Sequence, residues 1–295
     1  AQCVKLVKEL SFKIKYYYQM ESKELTIVIV TFKSESRLLA CINSIPNYID
    51  VIIVENSNNL NFKKNIESKF HNIKCILTGS NKGYAVANNI GLNEVKTKYA
   101  LVLNPDAILE KDTINNFFIT ANKIENFWLI GPGNDQAIRH NFEKNNILQV
   151  DNLRGFAIFF NMSNFKNFFD ENYFLYFEEI DLCKKVKENN GKIYLDKNII
   201  IRHEGASSVD KTKKIELEKN RNWHWMWSTF YFHKKYKGFL IALTIIFPKI
   251  ISSIFKIIYY GLTSNKIKRD IYFCRLSGIL NSILGKKSWY RPSLD

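Results

Sequence analysis

The sequence predicts an α/β fold: a Rossmann-like mixed sheet, mostly parallel, with helices on both faces, followed by a helical C-terminal segment of different character. Three observations carry this. Short apolar runs rich in β-branched residues recur without polar alternation, as strands buried on both faces require. Stretches of helical period separate them. Near residue 210 the charge balance changes abruptly.

The 295 residues are 46% hydrophobic and 24% charged, which excludes a disordered chain. The formal charge of +15 is unevenly spread: residues 211–295 hold 17 Lys and Arg against 4 Asp and Glu. The rest is therefore a nearly neutral domain, and the basic tail is a separate matter. We divide the chain into an extension over 1–21, an α/β domain over 22–210 and a basic, aromatic-rich helical region over 211–295.

Taken in order, LTIVIVTF (25–32) is the first strand, followed by a helix with Leu38, Leu39 and Ile42 on one face. VIIV (51–54), a polar helix, KCIL (74–77), a helix through Ala87 to Val95, and YALVL (99–103) complete the pattern. Doubly wound sheets bind ligands at the carboxyl ends of their strands, here Thr31-Phe32, Glu55-Asn56, the loop 79–83 and Asn104-Pro105-Asp106. No GxGxxG follows the first strand and no GxxxxGK[ST] occurs, so the usual dinucleotide and P-loop readings lose their support. An acid after the second strand can accept from a ribose or base, and an Asp after the fourth can hold a divalent cation against a diphosphate.

The five cysteines are far apart, with neither zinc spacing nor a disulfide framework, which suits a reducing cytoplasm. Lys5, Lys8, Lys13 and Lys15 interrupt every apolar run at the start, so no signal peptide is expected.

Seven stretches in order resemble the family 2 glycosyltransferases of GT-A fold, specifically their rhamnosyltransferase-like branch. They are IVIVTFKSESRLLACINSI (27–45), VIIVENSN (51–58), NKGYAVANNIG (81–91), YALVLNPDAIL (99–109), RGFAIFFNMSNF (154–165), NYFLYFEEIDLCKKVKENNGKIYL (172–195) and IRHEGASS (201–208). The resemblance implies a nucleotide-diphosphate sugar donor, a divalent metal (Mg²⁺ or Mn²⁺) and transfer with inversion. Asn104-Pro105-Asp106 stands in the place of the family's DXD motif, which makes Asp106 the direct ligand and Asn104 an outer contact. His203, after the run NIIIR (198–202), is the second expected ligand, although an isolated histidine more often caps a turn.

Inverting transfer needs a general base on the face of the sugar opposite the leaving group. The candidates are Glu178, Glu179 and Asp181 in FEEIDL (177–182). On a helix, Glu178 and Asp181 share a face and Glu179 points about 100° away. FEEID stands for the family's commoner FEDVD, whose second acid is the base, and this maps to Glu179. An acidic first turn is also what a helix dipole favours. Thr31, Phe32 and Glu55 form the expected floor for base and ribose, Asn81 and Gly83 open a loop into the helix carrying Asn88 and Asn89, and Arg154-Gly155 faces acceptor or phosphate. Asn89 is equally readable as a buried amide tying loops together.

In the tail, Trp223, Trp225, Trp227, Phe230, Tyr231, Phe232 and Tyr236 lie among His and Lys, a mixture that membrane–water interfaces select. FLIALTIIFPKIISSIFKIIYYGL (239–262) is interrupted by Lys249 and Lys256 and falls short of the roughly 20 uncharged residues needed to cross. With Pro248 near a helix start, Lys249, Ser252, Ser253, Lys256, Tyr260 and Thr263 form a stripe opposite Ile250, Ile251, Ile254, Phe255, Ile257 and Ile258. That pattern reads as an interfacial helix lying on an anionic membrane, between the basic flanks HKKYKG (233–238) and NKIKR (265–269). The alternatives are packing back on the α/β domain or pairing two copies in a homodimer.

The expectation is thus an inverting, metal-dependent transferase at the cytoplasmic face of the cell membrane. It moves rhamnose from dTDP-rhamnose, or a galactofuranosyl, glucosyl or other hexosyl unit, to a lipid-linked saccharide in surface-glycan assembly. Two rivals are a nucleic-acid-binding protein and a non-catalytic scaffold. Long Ile and Phe runs within the basic tail count against nucleic acid.

Overall fold

The computed structural model describes residues 23–133, 145–203 and 211–291. The extension 1–21, residues 134–144 and the EGASS stretch after His203 lie outside them. The described residues form two compact units: 23–82, 86–133, 145–169 and 182–203 in the first, 83–85, 170–181 and 211–291 in the second.

The first unit is built on an eight-stranded sheet ordered β3-β2-β1-β4-β8-β6-β9-β7. Its strands are β1 (Leu25–Thr31), β2 (Asp50–Glu55), β3 (Ile73–Leu77), β4 (Tyr99–Leu103), β6 (Phe127–Pro132), β7 (Ile147–Gln149), β8 (Ala157–Asn161) and β9 (Lys192–Asp196). β1 to β4 are mutually parallel, as the unalternating runs predict, and β8 enters antiparallel beside β4. Helices α1 (Glu35–Asn43), α2 (Leu60–Lys69), α3 (Tyr84–Glu94) and α4 (Thr113–Lys123) fall between strands. α1 buries Leu38, Cys41 and Ile42, while Leu39 is exposed, so Cys41 takes the core position expected of Leu39. A separate ribbon pairs β5 (Ala107–Leu109) antiparallel with β10 (Ile201–His203). α5 (Glu178–Glu188) has its first turn in the second unit and the remainder in the first.

The second unit gathers α6 (Lys211–Lys237), α7 (Phe239–Leu262) and α8 (Lys266–Ile283). Met226, Phe230, Ala242, Ile246 and Ile279 form their shared core. Two expectations are corrected here. Trp223, Trp227 and Phe230 are core residues and not an interfacial belt, with Trp223 Nε1 donating to Ser277 Oγ at 3.2 Å and Trp227 Nε1 to the Lys286 carbonyl at 3.0 Å. α7 starts at Phe239, runs through Pro248 and is 24 residues long, long and apolar enough to cross a membrane by length and composition.

Its polar stripe is buried only in part, since Ser252, Lys256 and Thr263 are exposed. Ser253 is buried with its hydroxyl donating to the Lys249 carbonyl, and Lys256 Nζ donates to Tyr272 of α8 at 2.9 Å. Phe247, Ile251, Ile254, Phe255, Ile258 and Leu262 are exposed.

Gly278 is where α8 approaches α6: a Cβ there would lie 2.3 Å from the Trp223 carbonyl oxygen. Backbone cannot yield as a side-chain tip does, so Gly278→Ala should destabilise the protein by about 1–3 kcal/mol. Thermal unfolding at a midpoint equal to wild type would disprove that tight contact.

Candidate functional site

The turn after β4 presents Asp106, and the ribbon that follows brings in His203, because His203 lies opposite Ala107 in the β5–β10 register. Asp106 Oδ1 and His203 Nε2 are 3.2 Å apart, and Asp106 is the less exposed of the two. The Phe156 ring stacks on the imidazole at 4.9 Å and 24°, limiting its rotation. The turn itself is fixed by backbone: Asn104 N donates to the Phe156 carbonyl at 2.8 Å and Ala107 N to the Asn104 carbonyl at 3.1 Å. Below it, burial and then the Asp106 charge push the Cys41 thiol up to about 12.

These two side chains suit a divalent cation. Adjacent ligands of an octahedral ion at about 2.1 Å are about 3 Å apart, close to the separation found, and such an ion needs only one or two protein ligands when phosphate oxygens and waters fill the rest. No group of three metal-ligating side chains occurs among the described residues.

The other strand ends lie in the same unit. Thr31 is buried and its Oγ1 has no hydrogen-bond partner among the described residues, an uncommon state that a ligand group would relieve. Phe32 beside it is half-buried. Glu55 is buried and its Oε2 accepts from Ser57 N at 2.8 Å and Ser57 Oγ at 2.7 Å. Asn56, which sequence reasoning passed over, organises the loop: it donates to Asn81 Oδ1 at 3.1 Å and accepts from Lys82 N at 2.9 Å. Asn88 is buried in α3, Arg154 is exposed and Gly155 half-buried just before Phe156.

Two expectations change. Asn89 clasps the Phe169 backbone, donating to its carbonyl at 2.9 Å and accepting from its N–H at 3.0 Å, so it is the tie between loops and leaves the donor set. Gly83, at φ +87, permits close approach of protein and not of ligand: a Cβ there would meet the Phe174 carbonyl oxygen at 2.5 Å.

Within the second unit, the corner leading into α5 is strained. Tyr176 and Phe177 have φ of +71° and +73°, a conformation that costs bulky residues about 1–2 kcal/mol each. The three acids that follow are distinct. Glu178 is buried with Oε2 unpartnered among the described residues, and burial, then the neighbouring Glu179 charge, raise its carboxyl well above the usual range. Glu179 is half-buried, and desolvation raises it against the opposing backbone hydrogen bonds. Asp181 is fully buried, accepting from Lys235 Nζ at 2.6 Å, Tyr236 OH at 3.0 Å and Tyr173 OH at 3.4 Å. Asp181 is therefore an anchor, which corrects its place among the candidate bases. Lys235 also holds Asp170 Oδ2 at 2.7 Å; burial is the largest influence on Asp170 and would raise it, but the Lys235 bond and charge together with the Asn172 hydrogen bonds outweigh it and leave that carboxyl at about 2. Lys235 and Tyr236 had been read as lipid-facing, since a partner 54 residues away leaves no local signature.

The family model "Glycosyl transferase family 2" matches residues 26–181, more than half of the chain. The chain belongs to glycosyl transferase family 2. Its match ends on Asp181, the anchored carboxylate. Among relatives of this family 2 chain, the low-salt glycan biosynthesis hexosyltransferase Agl10 of Haloferax volcanii is 26% identical over 195 residues, 57% of this chain. The chain spans 62% of the length of Agl10.

Solved structures share the fold. The mannosyltransferase PcManGT from Pyrobaculum calidifontis, in complex with GDP-Man and Mn²⁺, matches with TM-score 0.55 and 10% identity, over 96% of this chain and 98% of that one. S. aureus TarS 1-349 in complex with UDP-GlcNAc matches with TM-score 0.51 and 13% identity, over 91% and 93%. At these identities the likeness is one of fold, the mixed α/β arrangement of GT-A proteins.

The Glu178 environment has a thermodynamic consequence. Its folded pKa lies above that of the unfolded chain, so the folded state binds more protons and stability falls as pH rises between the two values. Glu178→Gln removes the titration. The variant should match wild type near pH 4 and gain on it as pH rises, levelling off above the folded pKa. Parallel thermal midpoints from pH 4 to 9 would show that Glu178 ionises normally.

Proposed function

We propose that the protein is an inverting glycosyltransferase that moves a hexosyl unit from a nucleotide diphosphate to an acceptor hydroxyl. The observation that carries this reading is the 3.2 Å approach of Asp106 Oδ1 and His203 Nε2 at the carboxyl end of β4. Asp106 and His203 would hold Mg²⁺ or Mn²⁺, which when bound offsets charge developing on the leaving diphosphate.

Glu179 is the general base. Its carboxylate takes the acceptor hydroxyl proton as that oxygen bonds to the anomeric carbon, while the bond from that carbon to the diphosphate breaks and the electron pair leaves with the phosphate. A base needs a pKa near the working pH, and desolvation moves Glu179 in that direction. Burial raises the Glu178 carboxyl, which favours its neutral form and lessens repulsion of a charge on its neighbour. Thr31 Oγ1 and Glu55 meet the nucleoside, with Phe32 beside them; Asn81, Asn88 and Asn104 line the donor side, and Arg154-Gly155 meets a phosphate or the acceptor.

The motif resemblance favours dTDP-rhamnose as donor, and the similarity to Agl10 supports the wider hexosyl class. A lipid-linked saccharide is the acceptor and the inner face of the cell membrane the workplace. Support for this comes from the exposed apolar face of α7 and the cations beside its ends, Lys234 and Lys237 before it and Lys266, Lys268 and Arg269 after it.

A donor panel read by mass spectrometry with lipid-linked acceptors tests the reaction. Asp106→Ala should lower kcat/KM by about a hundredfold or more, and turnover that survives both this change and chelation would remove the metal role. Glu179→Gln should lower kcat about 10²–10⁴-fold with donor affinity unchanged, and the wild-type rate should rise with pH along an acid limb above the ordinary Glu range. Loss of donor binding instead would reassign the base.

For the membrane, flotation with anionic vesicles is the measurement. Phe255→Asp with Ile258→Asp should abolish it, and equal flotation of variant and wild type would refute that face.

A further inference from the structure

Tail tryptophans differ in how they are held. Trp223 and Trp227 are buried, and Trp223, Trp227 and Trp289 each donate Nε1–H to a protein oxygen. Trp225 is 41% exposed and makes no such bond among the described residues. Its indole stands beside the strained corner, 5.3 Å from Tyr176 at 76° and 5.3 Å from Phe177 at 56°. The next two residues are Glu178 and Glu179.

Helical spacing explains the arrangement. Glu218, Arg221, Trp225, Ser228, Phe232 and Tyr236 recur at intervals of three or four and so share one face of α6. Along that face Ser228 Oγ donates to the Leu175 carbonyl at 3.1 Å, Phe232 packs on Phe177 at 5.4 Å, and Tyr236 bonds Asp181. The charges of Arg221 and Glu218 reach the Tyr176 hydroxyl, itself raised mainly by burial. The corner with the acids thus lies along α6, and Trp225 is the point of that line left open to solvent.

We propose that Trp225, with Tyr176 beside it, forms a saccharide subsite that takes a pyranose unit of the acceptor. One face of a pyranose presents C–H bonds to an aromatic ring, and a neighbouring hydroxyl accepts from the free indole N–H. Arg221 and Glu218 at the rim supply the polar contacts that orient such a ligand. Backbone strain at Tyr176 and Phe177 is then retained because it aims both the aromatic platform and Glu179. This subsite rests on the glycosyl-transfer reading for its purpose, but its existence is measured without catalysis.

The test uses the full ¹⁵N-labelled chain and its five tryptophan indole N–H signals, with Trp225→Phe identifying the one that matters. Titration with methyl pyranosides of glucose, galactose, mannose and rhamnose should move the Trp225 signal saturably and leave the other four in place. Trp225→Ala should weaken pyranoside binding about tenfold, read by saturation transfer to sugar protons. If that variant disturbs the remaining indoles, Trp225→Phe decides, since it keeps the packing and loses the donor; it should weaken binding about threefold. A Trp225 signal that stays fixed, shifts common to all five, or wild-type affinity in both variants overturns the proposal. A chain that binds pyranosides at Trp225 yet turns over no donor refutes the catalytic reading and leaves the subsite standing. Turnover with an unmoved Trp225 signal does the reverse.

Discussion

Three carboxyl groups within four residues cannot all be charged, buried and close together, and the second unit is arranged around that constraint. Like charges a few ångströms apart in a partly dry site repel by several kcal/mol. The conflict is resolved by giving each acid a different environment. Lys235 is hydrogen-bonded to Asp181 and sets a positive charge against that carboxyl. Glu178 is buried with Oε2 unpartnered among the described residues, and burial raises its carboxyl well above the usual range. Glu179 is half-buried, and desolvation raises its carboxyl, the direction that suits a general base.

That solution ties the C-terminal region to the three acids within the second unit. Lys235 and Tyr236 end α6, and its earlier turns carry Trp225 and Ser228 along the same corner. The last described residues add a second tie. His224 is buried and its pKa falls to about 3, so the ring is neutral; Nε2–H donates to the Tyr290 carbonyl at 2.9 Å and Nδ1 accepts from Ser288 at 2.8 Å. The same ring stacks on Phe174 at 4.5 Å, and Arg291 lies over the Phe174 ring at 3.6 Å. Phe174 in turn accepts from Tyr84 N and lies where Gly83 leaves room. A loop motif that reads as ligand-binding in sequence is thereby held by the far end of the chain.

How much of this was legible depends on distance along the chain. Strands β1 to β4 and the ends bearing Thr31, Glu55 and Asp106 follow from local apolar runs, since a strand buried on both faces leaves few other patterns open. His203 was readable because an apolar run ends on it. From residue types alone Gly83 reads as ligand-facing, Asn89 reads equally as a ligand or a tie, and Asp181 counts among the candidate bases. Their partners Phe169, Phe174 and Lys235 are many residues away, and no local spacing reports such a pairing. The aromatic cluster at 223–236 failed similarly: composition cannot separate an interfacial belt from a core whose indoles are bonded internally.

α7 is the sharpest instance. An amphipathic helix has two faces, and its periodicity is unchanged if the helix is turned half a revolution about its axis. What decides the orientation is where polar groups find partners. Ser253 is buried, Lys256 bonds Tyr272 of α8, and burial lowers the Lys249 pKa, so part of this polar side finds partners within the protein while Ser252 and Thr263 stay exposed. The opposite side has no such recourse: Phe247, Ile254, Phe255, Ile258 and Leu262 remain in contact with solvent at about 25 cal/mol for each Å² of apolar surface. Covering that face with hydrocarbon releases this cost without breaking a hydrogen bond, and the adjacent cations would meet anionic headgroups as it happens. The exposed apolar face of α7, more than its polar stripe, is therefore what supports the proposed bilayer contact.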